Sequence, residues 1–144
     1  MTYTTIPMRK SFANPDAAPA PRCWSYDLAD GWLARAGKTD DDNDLLSLRC
    51  AHPNDWWFHV HAMPGSHVVL SHADKTKAPD ADILRAAAAI AAWHSKARDG
   101  GNCPVSCTQA RNVSKPRGAK PGTVTISKEK IIRVKPGLPQ DGPA

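Results

Sequence analysis

The sequence predicts an α+β domain built on a mostly antiparallel sheet, with one long Ala-rich helix and one short helix. Three observations carry this. Short runs rich in aromatic and β-branched residues, led by 56–61 (WWFHVH), are bounded by turn residues. One stretch, 80–98, repeats its apolar residues near a 3.6-residue period. The chain has 144 residues, enough for one domain. Aliphatic side chains are sparse, so five Trp and many Ala are expected to fill the core.

The elements follow in order. Residues 1–23, which include the Pro/Ala-rich 13–22 (ANPDAAPAPR), are expected to be flexible, and 136–144 (PGLPQDGPA) is expected to be a disordered tail. The working domain is then 24–135. Residues 32–36 alternate apolar and polar and stop at Gly37, which predicts a strand and a turn. Asp40, Asp41 and Asp42 read as an acidic turn, and 44–50 as a short helix capped by Asn43 or Asp44. In the strand at 56–61, period two puts Trp57, His59 and His61 on one face. Trp56, Phe58 and Val60 then form the core face. Pro64 and Gly65 predict a type II turn with Gly65 at positive φ, leading into a second strand from His67 to Leu70. The helix over 80–98 is capped by Asp80, buries Ile83, Ala87, Ile90, Ala91 and Ala97, carries Lys96 and Arg98 in its last turn, and stops at Gly100 and Gly101. A strand is expected around Val105. Pro116 and Pro121 exclude helix and central strand from 114–122. Residues 123–127 and 131–134 read as a closing hairpin.

The net charge is +5, with a pI near 9.2. It is unevenly placed. Lys96, Arg98, Arg111, Lys115, Arg117, Lys120, Lys128, Lys130, Arg133 and Lys135 all fall within 94–135, opposed there by Asp99 and Glu129, while the remainder is net acidic. Charge confined to one segment implies a local face for a polyanion. No stretch reaches the ~20 apolar residues of a membrane span, and the first residues lack the apolar run of a signal peptide. The chain is therefore expected in the cytoplasm, with its four Cys as free thiols.

The loop 114–122 (SKPRGAKPG) gathers Lys115, Arg117 and Lys120; two Pro stiffen it, and Gly118 and Gly122 allow backbone amides to approach a ligand. Such a loop suits phosphate oxygens. Trp57, and with it Trp32, is a candidate platform for base stacking, worth ~1–3 kcal/mol per base. His59 and His67 are candidate hydrogen-bonding groups beside the Pro64–Gly65 turn. His59 and His61 with Cys103 or Cys107 could also form a metal site on paper. However, the cysteines are spaced C-x3-C around Pro104, and the single Glu is Glu129. No nucleophile elbow, Walker A loop or dinucleotide fingerprint occurs. The expectation is no catalysis, no cofactor and no metal.

Taken in order, N-D-x-L at 43–46, D-W-W-F-H at 55–59, P-G-S-H-V-V-L at 64–70, H-S-K-A-R at 94–98, P-V at 104–105 and V-S-K-P-R-G-A-K-P-G at 113–122 resemble the NFACT-R domain. That is the C-terminal RNA-binding domain of RqcH-like ribosome-quality-control proteins. The resemblance covers about 31–135. It implies RNA binding, with tRNA or large-subunit rRNA and the ribosome as partners. It also implies contacts at the matched His59, Ser66, His67, Ser95, Lys96, Arg98, Lys115, Arg117 and Lys120; Trp57 and Arg111 join them on the charge and stacking arguments. The family's large N-terminal domain, helix-hairpin-helix part and coiled coil have no counterpart in this sequence, which therefore looks like a stand-alone member. Cys107 and Asn112 stand where the family usually has aromatics. The rival readings are a module that docks on a ribosome-associated protein through its Trp-bearing face, and a His/Cys metal-dependent enzyme.

Overall fold

The computed structural model describes residues 20–139. Most of the segment expected to be flexible, and the last residues of the expected tail, lie outside this range. The elements are β1 (Cys23–Asp27), β2 (Leu33–Gly37), α1 (Asp40–Asp44), a π-helical continuation of α1 (Leu45–Cys50), β3 (Trp56–Val60), β4 (Val68–Ser71), α2 (Ala81–Trp93), β5 (Cys103–Gln109), β6 (Val113–Ser114), β7 (Thr125–Ile126) and β8 (Lys130–Val134). Six strands form one sheet in the order β1-β2-β4-β3-β5-β8, every neighbouring pair antiparallel. The α+β expectation holds.

Each face of the sheet is covered. On one, Tyr26, Ala34, Ala36, Phe58, Val60, Val68, Leu70, Val105 and Cys107 pack against Ile83, Ala87, Ala88, Ile90 and Ala91 of α2. The small Ala side chains let the helix lie close to the strands. On the other face, Leu46, Trp57, Val69 and Val113 form a second cluster, flanked by Leu48, Val124 and Ile126. The alternation along β3 therefore reads correctly for Phe58 and Val60, but Trp57 is not an outward platform: it is 2% exposed. Trp32, at 5%, is buried as well. A sheet covered on both sides buries both parities of a strand.

Several local expectations are corrected. The short helix begins at Asp40, and its cap is Thr39, whose Oγ1 accepts from the Asp42 amide at 3.2 Å. The three aspartates form its first turn, where their charge complements the helix dipole. The strand β1 was not anticipated. It begins at Cys23, inside the segment expected to be flexible, and Arg22 is already tied to Asp42. Residues 123–127 and 131–134 do not pair: β7 pairs with β6, and β8 with the sheet edge at β5. Lys128, at φ 55°, lies in the turn where the chain switches from one to the other. At the far end, Gly137 donates to the Ala89 carbonyl at 3.2 Å and Leu138 packs on the core, so this part of the expected tail is docked on α2.

The helix α2 starts as read, with the Asp80 carboxylate accepting from Ile83 N, but it stops at Trp93, well short of Gly100. The reason is a competing partner. The Ser66 amide donates to His94 O at 2.9 Å and the Lys96 amide to Pro64 O at 3.2 Å, so the residues after Trp93 form an antiparallel bridge to the 64–66 turn. Lys96 and Arg98 thus leave the helix. Gly65 is not at positive φ; in this turn Ala62 takes that conformation, at φ 59°. Glycine is needed at 65 for space, because a Cβ there would stand 2.7 Å from Ser95 Cβ. Gly65→Ala is expected to destabilise the fold by about 1–3 kcal/mol, as overpacking does. A denaturant midpoint equal to that of the wild type would refute this role.

Candidate nucleic-acid interface

The second cluster is organised around one buried histidine. Trp57 Nε1 donates to Ser47 Oγ at 2.9 Å, and Ser47 Oγ lies 2.8 Å from His67 Nδ1. His67 Nε2 lies 3.1 Å from the Gly122 carbonyl. An indole only donates and a carbonyl only accepts. Ser47 Oγ–H therefore donates to His67 Nδ1, and His67 donates from Nε2 to the Gly122 carbonyl. This is a neutral imidazole. Burial, reinforced by neighbouring His59, pushes its pKa down from 6.5 to about 4. The amide of His67 is held by Asn43 Oδ1 at 3.0 Å.

The same device fixes the Pro-containing loop. The Gly122 amide donates to Asp44 Oδ1 at 3.0 Å, while Lys115 Nζ reaches Asp44 Oδ2 at 3.0 Å, Lys120 O at 2.7 Å and Thr123 O at 3.1 Å. The ammonium of Lys115 thus has three internal acceptors, and its role is to close the loop. Gly118 and Gly122 take positive φ, at 77° and 84°. Arg117 and Lys120 remain exposed.

Beside this loop lies a groove of about 360 Å³, lined among others by Trp24, Lys38, Asp40, Ser66, Lys96 and Arg98. The bridge between Gly65 and Ser95, both of which line the groove, joins the P-G-S-H and H-S-K-A-R motifs. Ser66 Oγ donates to Gly37 O at 2.7 Å, and Ser95 Oγ to Ala92 O at 2.6 Å. Both hydroxyls therefore hold backbone in place. The groups left for a ligand are the cations. Arg98 is pre-oriented: its Nε donates to Trp93 O at 2.6 Å and its guanidinium lies 4.6 Å from the Trp93 ring. A Cβ at Gly122 would stand 2.8 Å from the Asp40 carboxylate, so the loop and the groove are adjacent.

The sequence-derived candidates are thus sorted. Ser66, Ser95, Lys96 and Arg98 meet at the groove, and Arg117 and Lys120 are exposed on the loop. Trp57 and His67 are buried, and Lys115 is half-buried against its acceptors. His59 lines a different cavity, of about 330 Å³, together with Trp57, His61, His67, Ser106 and Glu129. Its Nδ1 donates to Val60 O at 2.6 Å, and burial lowers its pKa. Arg111 hydrogen-bonds the Asn54 side chain beside the start of β3, at the opposite end of that strand from the 64–66 turn. The paper metal site does not assemble. Cys107 and Cys103 point into the α2-side core, whereas His59 stacks beside Trp57 on the other face. Among the described residues no three His, Cys, Asp or Glu side chains come together as a metal would require. Nor, among these residues, is any helix long and apolar enough to cross a membrane. Sequence reading missed Trp24, Lys38 and Ser47. Trp24 carried an available signal, the alternation of CWSYD at 23–27; Ser47, inside a short helix, carried none.

An antiparallel α+β module with a cationic groove and a buttressed basic loop is a polyanion-binding class of domain. The family model described as the NFACT protein RNA binding domain matches residues 23–128, and the chain belongs to that family. It is 39% identical over 112 residues to the Rqc2 homolog RqcH of Bacillus subtilis (strain 168), covering 78% of this chain and 19% of that protein. It is 38% identical over 100 residues to the Rqc2 homolog RqcH of Streptococcus suis (strain 05ZYH33), covering 69% and 18%. The chain therefore spans about a fifth of the length of these relatives. Among solved structures, the C-terminal part of the fibronectin/fibrinogen-binding protein from Streptococcus suis superposes with a TM-score of 0.74 at 32% identity, covering 92% of this chain and 51% of that one.

Two outcomes test the buttress. Lys115→Ala is expected to lower stability by about 1.5–3 kcal/mol, the range for hydrogen bonds to charged groups, whereas Arg117→Ala is expected to leave the denaturant midpoint within about 0.5 kcal/mol of the wild type. For His67, the unfolded chain takes up a proton near pH 6.5, but the folded chain resists protonation down to about 4. Its contribution is fully present above pH 6.5 and is lost as pH falls towards 4, at no more than about 1.4 kcal/mol per pH unit. Stability that stays flat over this window in denaturant titrations would contradict a neutral buried His67.

Proposed function

We propose that this domain binds RNA through the groove and the adjoining loop, with no chemistry of its own. In this reading Lys38, Lys96 and Arg98 in the groove and Arg117 and Lys120 on the loop take phosphate oxygens. The observation that carries it is the junction itself: the Gly65–Ser95 bridge joins two motifs at a groove lined by Lys38, Lys96 and Arg98, and Gly122 of the third motif lies beside Asp40 of that groove. Family membership supports RNA as the polyanion. Likeness to the RqcH relatives favours tRNA or large-subunit rRNA in a ribosome-quality-control setting. The absence of a role in catalysis is supported by the engagement of both groove hydroxyls with backbone carbonyls.

Fluorescence anisotropy with labelled tRNA between 50 and 200 mM salt tests this. Each neutralised phosphate contributes about −0.7 to −0.9 to the log–log slope of affinity against salt. The Lys96→Ala/Arg98→Ala double variant is expected to bind more weakly and to lose about 1.5 from that slope. Salt-independent binding by the wild type would reject the proposal, and an unaffected double variant would move the site away from the groove.

A further inference from the structure

We infer that the groove takes an unstacked, single-stranded nucleotide, with its base on the ring of Trp24 and its flanking phosphates on Lys96 and Arg98. This rests on the RNA-binding reading and specifies which form of RNA fits. Trp24, on the edge strand β1, is 38% exposed; the other large hydrophobic residues this open among the described ones are Met63 and Ile131. An indole left partly exposed at the wall of a cationic groove has apolar surface to offer a ligand. Its inner face is already supported. The Trp24 ring stacks on His94 with centroids 4.3 Å apart and planes 12° apart, and His94 Nε2 is fixed by the Tyr26 hydroxyl at 2.6 Å. Burial, followed by the charge of Arg98, pushes the His94 pKa down to about 4, so the stack is neutral. The platform is pre-organised, which lowers the ordering cost of binding.

Above the outer face stands the ammonium of Lys38, 5.4 Å from the ring centroid. Lys38 is exposed, and its long flexible stem can swing towards a phosphate when a base arrives. The groove, at about 360 Å³, lies at the small end of ligand pockets, which run to ~300–1,000 Å³. That is room of the order of one nucleotide. A duplex hides the faces of its bases within the stack, whereas single-stranded segments can splay a base onto an aromatic ring. Asp40, which also lines the groove, repels phosphate and offers an acceptor to a base amino group or a ribose hydroxyl. The phosphates are thereby directed to the Lys96 and Arg98 side.

The test uses the full chain with two labelled probes, an oligouridylate of about 12 nucleotides and an RNA duplex of similar length, at one salt concentration. The single strand is expected to bind more tightly than the duplex. Trp24→Ala is expected to weaken single-strand binding about ten-fold and to leave duplex binding unchanged. Trp24→Phe is expected to retain most of the affinity while losing part of the tryptophan-fluorescence quenching that accompanies binding. Tighter binding of the duplex overturns the inference. So does wild-type affinity in Trp24→Ala while Lys96→Ala/Arg98→Ala still weakens binding; that result leaves the RNA-binding proposal standing. Failure of the wild type to bind either probe or tRNA overturns both. If Trp24→Ala proves unfolded by circular dichroism, quenching that is unchanged in Trp24→Phe overturns the inference alone.

Discussion

The arrangement depends on a neutral histidine buried between a sheet, a short helix and a loop. His67 belongs to β4's leading edge, Ser47 to the π-helical stretch, Trp57 to β3 and Gly122 to the Pro-containing loop. Each polar group in the chain Trp57–Ser47–His67–Gly122 satisfies the next. A missing member leaves a buried donor or acceptor without a partner, which is costly in a low-dielectric interior. This explains why N-D-x-L, P-G-S-H and K-P-R-G-A-K-P-G occur together in one chain. Asn43 and His67 bond directly, Asp44 receives both the Gly122 amide and Lys115, and Leu46 packs with Trp57.

From that anchor the division of labour on the surface follows. The loop 115–122 is stiff on account of Lys115 and Gly122 as much as its prolines, so Arg117 and Lys120 are presented from a fixed backbone. At the groove, α2 gives up its last turn to pair with the 64–66 segment. That exchange puts Lys96 and Arg98 in the lining of the same groove as Lys38 and Trp24. Serine hydroxyls and backbone amides hold the frame, and long cationic side chains with one aromatic face remain for the ligand. Such separation suits binding: the rigid part is internally satisfied, and the exposed part loses little by exchanging water for phosphate.

The long helix, the β3–β4 hairpin and the basic segment were legible because period, turn residues and charge are local properties. The second hairpin was misread because strand-like runs do not state their partners, and β7 and β8 go to different sheets. The helix end was misread for a related reason. Nothing between Trp93 and Gly101 reports that residues 64–66 will compete for its backbone. The strand β1 was overlooked because its alternating run is short and follows a Pro-rich stretch, and with it went Trp24.

By itself the sequence determined the class of domain, the charge asymmetry and the identity of the motifs, since these rest on composition, short-range periodicity and residue order. Only the tertiary structure decided which motif residues face inward. Lys115 and Arg117 are two positions apart in one basic loop, yet one closes it against Asp44 and the other faces solvent. Trp57 and Trp24 are both indoles on strands, yet one is 2% and the other 38% exposed. The physical reason is that burial and hydrogen-bond satisfaction are set by elements brought together from distant parts of the chain. Here these are α1, β4 and the 115–122 loop, and no local pattern encodes their meeting.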